Sequence, residues 1–362
     1  MPAKNQQLSH LRQQIDAIDQ QILQLINQRA AIAIQVGQAK RAAGILNDFY
    51  RPEREAQILS SLMESNPGPL NAAQTATIFR ALLTACLSLQ QPLKIAYLGP
   101  VGTYSQAAVY KHFGMETTTL SVVQISQVFR EVEAEHAHYG VVPIENSTNG
   151  IVTETLDALI HASVHICGEV IIDIEHHLLS KVSNSNNIKR VYAHEQALAQ
   201  CRHWLTQNLA DCELIAVSSN GAAAQLAATE TDAAAIAGDL AAEYYQLQKI
   251  HSNIQDNPLN KTRFLIVGKQ KIAPSGCDKT SLLFSTPHTP GALIDLIQPF
   301  ADNGVNLSLI ESRPYQSRDW SYVFFIDIDG HREDAAVKQA LESLMARSIM
   351  LTVLGSYPKA RG

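Results

Sequence analysis

The sequence predicts a chain of several domains: helical at the front, α/β in the middle and α+β at the end. Three observations lead there. Apolar residues recur at 3-4-3-4 spacing through the first forty positions, the spacing of a helix seam. From Lys94 the pattern changes to short strand-like runs alternating with helix-like ones. From Lys279 to Gly355 the order becomes strand, helix, strand, strand, helix, strand. A length of 362 residues fits two or three domains; we set them at 1–92, 93–272 and 278–362.

The helical seam runs Leu8, Leu11, Ile15, Ile18, Ile22, Leu25, Arg29, Ile32, Val36 and Ala39. An arginine on such a seam is expected to be buried or nearly so, and a buried guanidinium without an anion costs several kcal/mol. Arg29 therefore meets a structural carboxylate, snorkels to the surface, or holds a ligand. Lys40 stands 11 residues on, rotated by about 20° and roughly 16 Å along the axis. Together the two side chains leave room for a small dianion. Arg12 borders the same seam but lies about 25 Å from Arg29 on a straight helix. It can reach such a site only from a symmetry-related chain. A second helix opens near Phe49–Ala56, with Pro52 suited to its first turn and Arg54 and Glu55 beside it. After the turn Asn66-Pro-Gly-Pro69, a third helix covers about 71–90. There Ile78, Leu82, Ala85 and Leu89 follow helical spacing, and Cys86 and Gln90 share a face. Three helices, one of them about 50 Å long, enclose too little core alone, so an intertwined homodimer is expected.

Residues 8–91 resemble the all-helical chorismate mutase domain found at the N-terminus of the bifunctional chorismate mutase–prephenate dehydratases. The matching positions are Arg12, Arg29, Lys40, Arg54, Glu55 and Gln90. The reaction implied is a unimolecular pericyclic rearrangement, needing no nucleophile and no proton transfer. The protein holds the reactive conformer and stabilises charge on the ether oxygen. By resemblance, Arg12 of the partner subunit and Arg29 bind the carboxylates, with Arg54 near them. Lys40 and Gln90 donate to the ether oxygen, and Glu55 accepts from the ring hydroxyl. The loop after Lys40 is two residues longer than the family pattern, so Asp48 is the candidate for the usual aspartate. Cys86 replaces a serine of the third helix.

Composition agrees with a soluble multidomain enzyme. Hydrophobic residues make up 46% of the chain, enough for several cores. No apolar run is read as membrane-spanning, and the polar start Met1–Gln7 is not a signal peptide. A net charge of −6 without a basic run argues against nucleic acid. The five cysteines have no metal-ligand spacing and read as reduced thiols of a cytoplasmic protein. His176-His177 and the pair His161/His165 lack a third ligand, so no metal or cofactor is expected.

In the middle domain, strand 94–98 leads through Gly99-Pro-Val-Gly-Thr-Tyr-Ser105 into helix 106–113. Helix 125–135, strand 139–144, helix 153–162, strand region 169–178, strand 190–193 and helix 196–207 follow, an α/β order with a parallel-rich sheet. The glycine loop has neither a dinucleotide fingerprint nor a Walker lysine, which disfavours nucleotides and suits a carboxylate. Three polar segments stand at strand ends, where open α/β sheets bind ligands: 143–148, 218–222 and 260–264. Each alone is more often a helix cap or turn than a site. In this order, with the glycine loop, they resemble prephenate dehydratase across residues 94–268. That family's fold is two α/β lobes around a cleft, similar to periplasmic binding proteins. The resemblance gives Thr262 of Thr-Arg-Phe the central role, read here as a hydrogen-bond donor to the departing hydroxyl. Asn146, Gln200, Ser105 and Thr103 complete the pocket, and Arg263 supports structure or a substrate carboxylate. Ala193 replaces a serine that the family often carries.

The last domain has strands at 279–285, 306–313, 322–329 and 350–355 and helices at 291–303 and 335–346, the ferredoxin-like arrangement. Gly291-Ala292-Leu293 and Glu311-Ser312-Arg313-Pro314 resemble the amino-acid-binding ACT domain. Phenylalanine at a domain–domain interface is what they imply; a ligand-free dimerisation module is the plainer reading. The whole implies a homodimer converting chorismate to prephenate and on to phenylpyruvate under phenylalanine control. A mutase fused to prephenate dehydrogenase would need the missing dinucleotide fingerprint. A non-catalytic amino-acid sensor would leave the helical anion clamp unexplained.

Overall fold

The computed structural model describes residues 2–45, 49–183, 187–287, 289–315 and 321–360. Asp48 lies outside them. The chain divides into two compact units, Met1–Arg51 with Ile58–Pro92, and Pro52–Gln57 with Leu93–Gly362.

The first unit holds α1 (Pro2–Ala42), most of α2 (Pro52–Ser65) and α3 (Ala72–Gln90). At 41 residues, α1 is about 62 Å long, a turn and a half beyond the sequence reading. α3 starts in a full capping box: Gln74 N donates to Asn71 Oδ1 (2.9 Å), and Asn71 N donates to Gln74 Oε1 (3.0 Å). It passes closest to α1 at Gly37, where a Cβ would stand 3.0 Å from the Gln90 carbonyl oxygen. By length and composition α3 is apolar enough to cross a membrane, with mean hydropathy 1.3 over its window, which the sequence reading did not anticipate. Arg80 stands near its middle, where a bilayer would penalise it by about 2.5–3.5 kcal/mol. The seam of α1 differs from expectation: Leu8, Leu11, Ile15, Ile18, Ile22, Leu25 and Ile32 are 47–64% exposed within one chain. Arg29 and Lys40 are only half-buried. Three helices from one chain cannot cover a helix of this length.

The second unit begins with β1 (Lys94–Leu98), α4 (Tyr104–Phe113), β2 (Thr118–Val122), α5 (Ile125–Glu133), β3 (Tyr139–Asn146), β4 (Gly150–Ile151), α6 (Thr153–His161) and β5 (His165–Asp173). A second lobe follows: β6 (His177–Ser180), β7 (Arg190–His194), α7 (Glu195–Gln200), α8 (Arg202–Asn208), β8 (Glu213–Val217), α9 (Asn220–Ala227), β9 (Ala233–Ala237), α10 (Asp239–Tyr244) and β10 (Gln248–His251). The chain then returns to the first lobe as β11 (Lys261–Gly268). The first sheet has the order β2-β1-β3-β11-β5, and the second β10-β6-β9-β7-β8. Both are mixed, not parallel-rich, because β11 runs antiparallel to β3 and β5, and β6 antiparallel to β9 and β10. The region read as one strand over 169–178 is two, ending in one sheet and starting in the other. The two crossing segments hydrogen-bond to each other, Ile174 N to Asn260 O (2.8 Å) and Ile254 N to His176 O (2.8 Å). The predicted helix 196–207 breaks at the buried Cys201 into α7 and α8.

The C-terminal elements are β12 (Asp278–Ser285), α11 (Ala292–Asp302), β13 (Leu307–Tyr315), β14 (Ser321–Asp329), α12 (Ala335–Arg347) and β15 (Met350–Pro358). They form the expected ferredoxin-like unit, with antiparallel sheet order β13-β14-β12-β15. This sheet shares a core with the first lobe: Leu283, Phe325 and Leu354 pack in the same cluster as Val142, Ile166 and Leu265. β15 lies on β5 where Gly355 leaves room for the Ile166 backbone.

Candidate functional site

The cleft between the two sheets is crossed by one chain of side-chain hydrogen bonds, and its polarity can be worked out from one end. Asn146 closes β3, and its Oδ1 accepts from Thr148 N (3.0 Å) and Asn149 N (2.9 Å). Backbone N–H groups only donate, so the Asn146 amide is oriented and its Nδ2 faces the cleft. That Nδ2 lies 2.8 Å from Thr262 Oγ1 and 2.9 Å from Asn260 Oδ1. Thr262 therefore receives a hydrogen bond, and its own hydroxyl proton has no acceptor among the described residues. Thr262 sits on β11 opposite Asn146 in register and is 8% exposed.

The chain continues across the lobes. With Oδ1 of Asn260 accepting, its Nδ2 donates to Gln200 Oε1 (3.1 Å) at the end of α7. Ser147 and Thr148 hydroxyls also donate to Asn260 Oδ1 (3.3 and 3.2 Å). Gln200 Oε1 accepts again from His176 Nε2 (2.8 Å), which fixes the proton on that ring nitrogen. Burial holds His176 below the ordinary histidine range, so the ring is neutral and Nδ1 is an acceptor. Tyr104 Oη lies 3.1 Å from that Nδ1 and 2.6 Å from the Glu175 carbonyl. Burial pushes the Tyr104 phenol well above its usual range, so it stays protonated. With Gln200 Oε1 occupied twice, the amide nitrogen is the group Gln200 can offer a ligand. The site is thus a row of neutral donors.

Glycines bring the second lobe onto the glycine loop. A Cβ at Gly221 would meet Val101 O at 2.5 Å, and one at Gly238 would meet the Tyr104 ring at 2.9 Å. Nearby, Glu175, His177 and Asp239 place three ligand-type atoms within 4.8 Å of one another. Lys249 already rests its ammonium on Asp239, and we assign no ion there.

In the first unit, Gly37 seats the end of α3 against α1, one turn before Lys40. Arg41 Nη1 donates to the Gln90 carbonyl, and Lys40 Nζ stands 5.4 Å from the Phe49 ring centre. Cys86 is buried, and Arg12 is exposed. Arg54 and Glu55 fall on the first turn of α2, in the segment grouped with the second unit. At the C-terminal sheet, a cavity of about 360 Å³ is lined by Thr286, Gly291, Ala292, Leu293, Tyr322 and Phe324, among others.

Three family models match the chain: chorismate mutase type II over residues 11–91, prephenate dehydratase over 95–272 and the ACT domain over 280–344. A bifunctional chorismate mutase/prephenate dehydratase of Pseudomonas aeruginosa is 48% identical over 99% of each chain. The chain belongs to the bifunctional chorismate mutase/prephenate dehydratase family. A relative of the same description from Aquifex aeolicus is 42% identical over 98% of this chain and 99% of its own. Among solved structures, a prephenate dehydratase from Arthrobacter aurescens in complex with L-Phe is 36% identical, with a TM-score of 0.69. The match covers 74% of this chain and 90% of that one.

Of the dehydratase residues read from the sequence, Thr262, Asn146 and Gln200 come together in the cleft network. Thr103 serves elsewhere: its hydroxyl caps α4, accepting from Gln106 N (3.4 Å) and lying 3.0 Å from Pro100 O. Ser105 is buried in the first turn of α4. Arg263 does not support the substrate-carboxylate reading. Its side chain leaves the cleft toward the ACT sheet, held between Glu169 of the neighbouring β5 and Asp327 of β14. Ser219 is a plain helix cap, accepting from Ala222 N (3.0 Å). Tyr104, His176 and Asn260 were missed as site residues, although Tyr104 and Asn260 lie inside the polar segments picked out by the sequence. Of the two phenylalanine motifs one lines the cavity, and the other lies on β13, in register with the lining residues Tyr322 and Phe324 of β14. Gly291, Ala292 and Leu293 line the cavity, whereas Glu311, Ser312 and Arg313 follow β13, and Arg313 forms a two-point pair with Asp157 of α6 (3.0 and 2.9 Å). Gly291 is needed for its left-handed φ of 84°, not for a close approach, since a Cβ there meets nothing within 4 Å.

Proposed function

We propose how the residues of this family member divide the work of its two activities, chorismate mutase and prephenate dehydratase, in phenylalanine biosynthesis. In the helical domain, residues 1–92, Arg29 and Arg12 of the partner subunit hold the carboxylates of chorismate. Lys40 and Gln90 stabilise charge on the ether oxygen as that bond breaks and the new carbon–carbon bond forms. Glu55 accepts from the ring hydroxyl, Arg54 and Cys86 adjoin the substrate, and Asp48 supplies the acidic position of the loop. The exposed apolar seam of α1 supports a homodimer, because a second copy of the same seam would cover it.

In residues 93–272, prephenate loses carbon dioxide and its ring hydroxyl together. The carboxylate carbon–carbon bond supplies the electron pair that completes the aromatic ring, and the hydroxyl leaves with its bonding pair as hydroxide, which takes a proton from solvent on release. The observation that carries this reading is the uncommitted proton of Thr262: Asn146 donates to its oxygen, so the hydroxyl is left to donate to the leaving group. The Gln200 amide nitrogen binds the substrate, Ser105 closes the glycine-loop side while Thr103 holds that loop through its cap on α4, and water is kept out by the closely seated lobes. Residues 278–362 bind phenylalanine at the cavity of Gly291, Ala292 and Leu293. The motif Glu311-Ser312-Arg313 completes that site from the ACT unit of the partner subunit, and occupancy inhibits the enzyme. The unpaired cysteines suit a cytoplasmic location.

Incubating the protein with chorismate alone, with no nicotinamide cofactor or metal added, tests the reading. Phenylpyruvate is the expected product. Accumulation of prephenate without phenylpyruvate would overturn the dehydratase assignment, and no turnover would overturn both.

A further inference from the structure

Arg263 follows Thr262 on β11, and successive strand residues face opposite sides. Thr262 faces the cleft; Arg263 faces the ACT sheet. Its Nε donates to Glu169 Oε2 (2.7 Å), and its Nη2 donates to Asp327 Oδ2 (2.6 Å) and Tyr357 Oη (3.1 Å). The three charged side chains are 10%, 3% and 0% exposed for Arg263, Glu169 and Asp327. Asp327 stands on β14, and its other oxygen accepts from Ser281 of β12. The same Ser281 Oγ lies 2.7 Å from Tyr357 Oη of β15. Lys279 Nζ adds a second cation on Glu169 (2.9 Å). Three of the four ACT strands therefore converge on the residue next to Thr262.

A buried ionic cluster is not in itself a stabilising device, since apolar residues of equal volume often do as well. What it supplies is fixed geometry. The Cα atoms of Thr262 and Arg263 are joined by one planar peptide, about 3.8 Å long. The register of β11 against β3 shifts immediately after Arg263, and such irregularities re-aim side chains. The 2.8 Å bond from Asn146 orients Thr262 from the other side, and it is lost if the hydroxyl moves by about an ångström.

We propose that Arg263 is a positioning residue for the dehydratase reaction, held by Asp327 of the regulatory sheet so that Thr262 presents its hydroxyl to the leaving group. This rests on the reading of Thr262 as that donor. The link makes the ACT sheet part of the catalytic apparatus and not only a carrier of the effector site.

The test is steady-state kinetics of the full chain on prephenate for Asp327→Asn and Arg263→Lys, with Thr262→Ala as a reference. Both variants should lower kcat by roughly tenfold or more while KM stays within about twofold, because neither group touches substrate. Arg263→Lys, which keeps the charge but not the fork, should retain more activity than Arg263→Ala. A lowered melting temperature with unchanged kcat would make the cluster merely structural and overturn the proposal. A raised KM at unchanged kcat would overturn it in favour of a substrate contact. If Asp327→Asn fails to melt cooperatively, Tyr357→Phe removes one contact to Arg263 at constant shape, and an unchanged kcat there overturns the proposal equally. An active Thr262→Ala protein would instead sink the underlying assignment, which separates the two failures.

Discussion

Gly355 is the point where the regulatory sheet rests on the catalytic lobe, and Gly355→Ala should unseat it. The added Cβ would stand 2.1 Å from the Ile166 carbonyl oxygen, 2.9 Å from its carbon and 3.0 Å from its nitrogen. Ordinary carbon–oxygen contacts begin near 3.3 Å, so β15 and β5 must separate by about 1.2 Å. The obstacle is main chain at the start of β5, with no flexible side-chain end to swing away. Overpacking of this kind costs typically 1–3 kcal/mol and occasionally more. For a unit of this size each kcal/mol lowers the melting temperature by about 2–4 °C. A fall of roughly 3–10 °C is therefore expected by differential scanning calorimetry. The same separation pulls on Arg263 through Asp327 and Tyr357, so dehydratase turnover should drop with it, while mutase turnover stays close to that of the unaltered chain. An unchanged melting temperature, or a fall with both activities reduced alike, would refute the reasoning.

Three other outcomes follow from the geometry. Asn146→Asp keeps the acceptor oxygen for Thr148 N and Asn149 N but turns a donor into an acceptor at Thr262, which then spends its proton on the carboxylate; kcat for prephenate should fall about a hundredfold or more, and wild-type turnover would contradict the hydrogen-bond polarity. Burial keeps His176 and His177 below the ordinary histidine range; the unfolded chain takes up those protons near pH 6.5 and the folded chain does not, so stability is full above about pH 6.5 and declines below it. Thermal melts across that range should show the decline, and His176→Gln should flatten part of it; identical pH profiles would remove His176 from the account. Arg12→Ala and Lys40→Ala proteins should each lack mutase activity, yet subunit exchange between them should restore roughly a quarter of it, since half the dimers are mixed and each carries one intact site. No recovery after verified exchange would place Arg12 in its own chain's site.

Elements with strong periodicity were legible in the sequence. The helices at 52–65 and 72–90 appear where Pro52 and the Asn66–Pro69 turn bound them, and the βαββαβ order of the last domain appears where its apolar pattern matches a buried face. Other segments failed for identifiable reasons. The region 169–178 was read straight through its mostly polar middle, Asp173–His177, which is where the chain leaves one sheet for the other. Ala233–Ala237 carried no strand signal, since an alanine-rich run favours helix, yet it forms β9, a fully buried strand between β6 and β7. The seam of α1 shows the reverse case: its 3-4 spacing does form a helix, but within one chain the apolar side of that helix is left exposed. At the site, motif residues were legible and their supports were not. His176 and Asn260 act by orienting Gln200 and Asn146 across the lobes, and Arg263 acts through a carboxylate 64 residues away. Such pairings exist only once the sheets are assembled.

The most direct measurement is the fate of chorismate in a folded Thr262→Ala protein, followed by separating prephenate from phenylpyruvate over time, with Thr262→Ser as the control that keeps the hydroxyl. The account predicts that Thr262→Ala makes prephenate at the unaltered rate and accumulates it, with phenylpyruvate formation reduced by at least about a hundredfold, while Thr262→Ser still completes the sequence. Phenylpyruvate appearing from Thr262→Ala at a near-normal rate would contradict it.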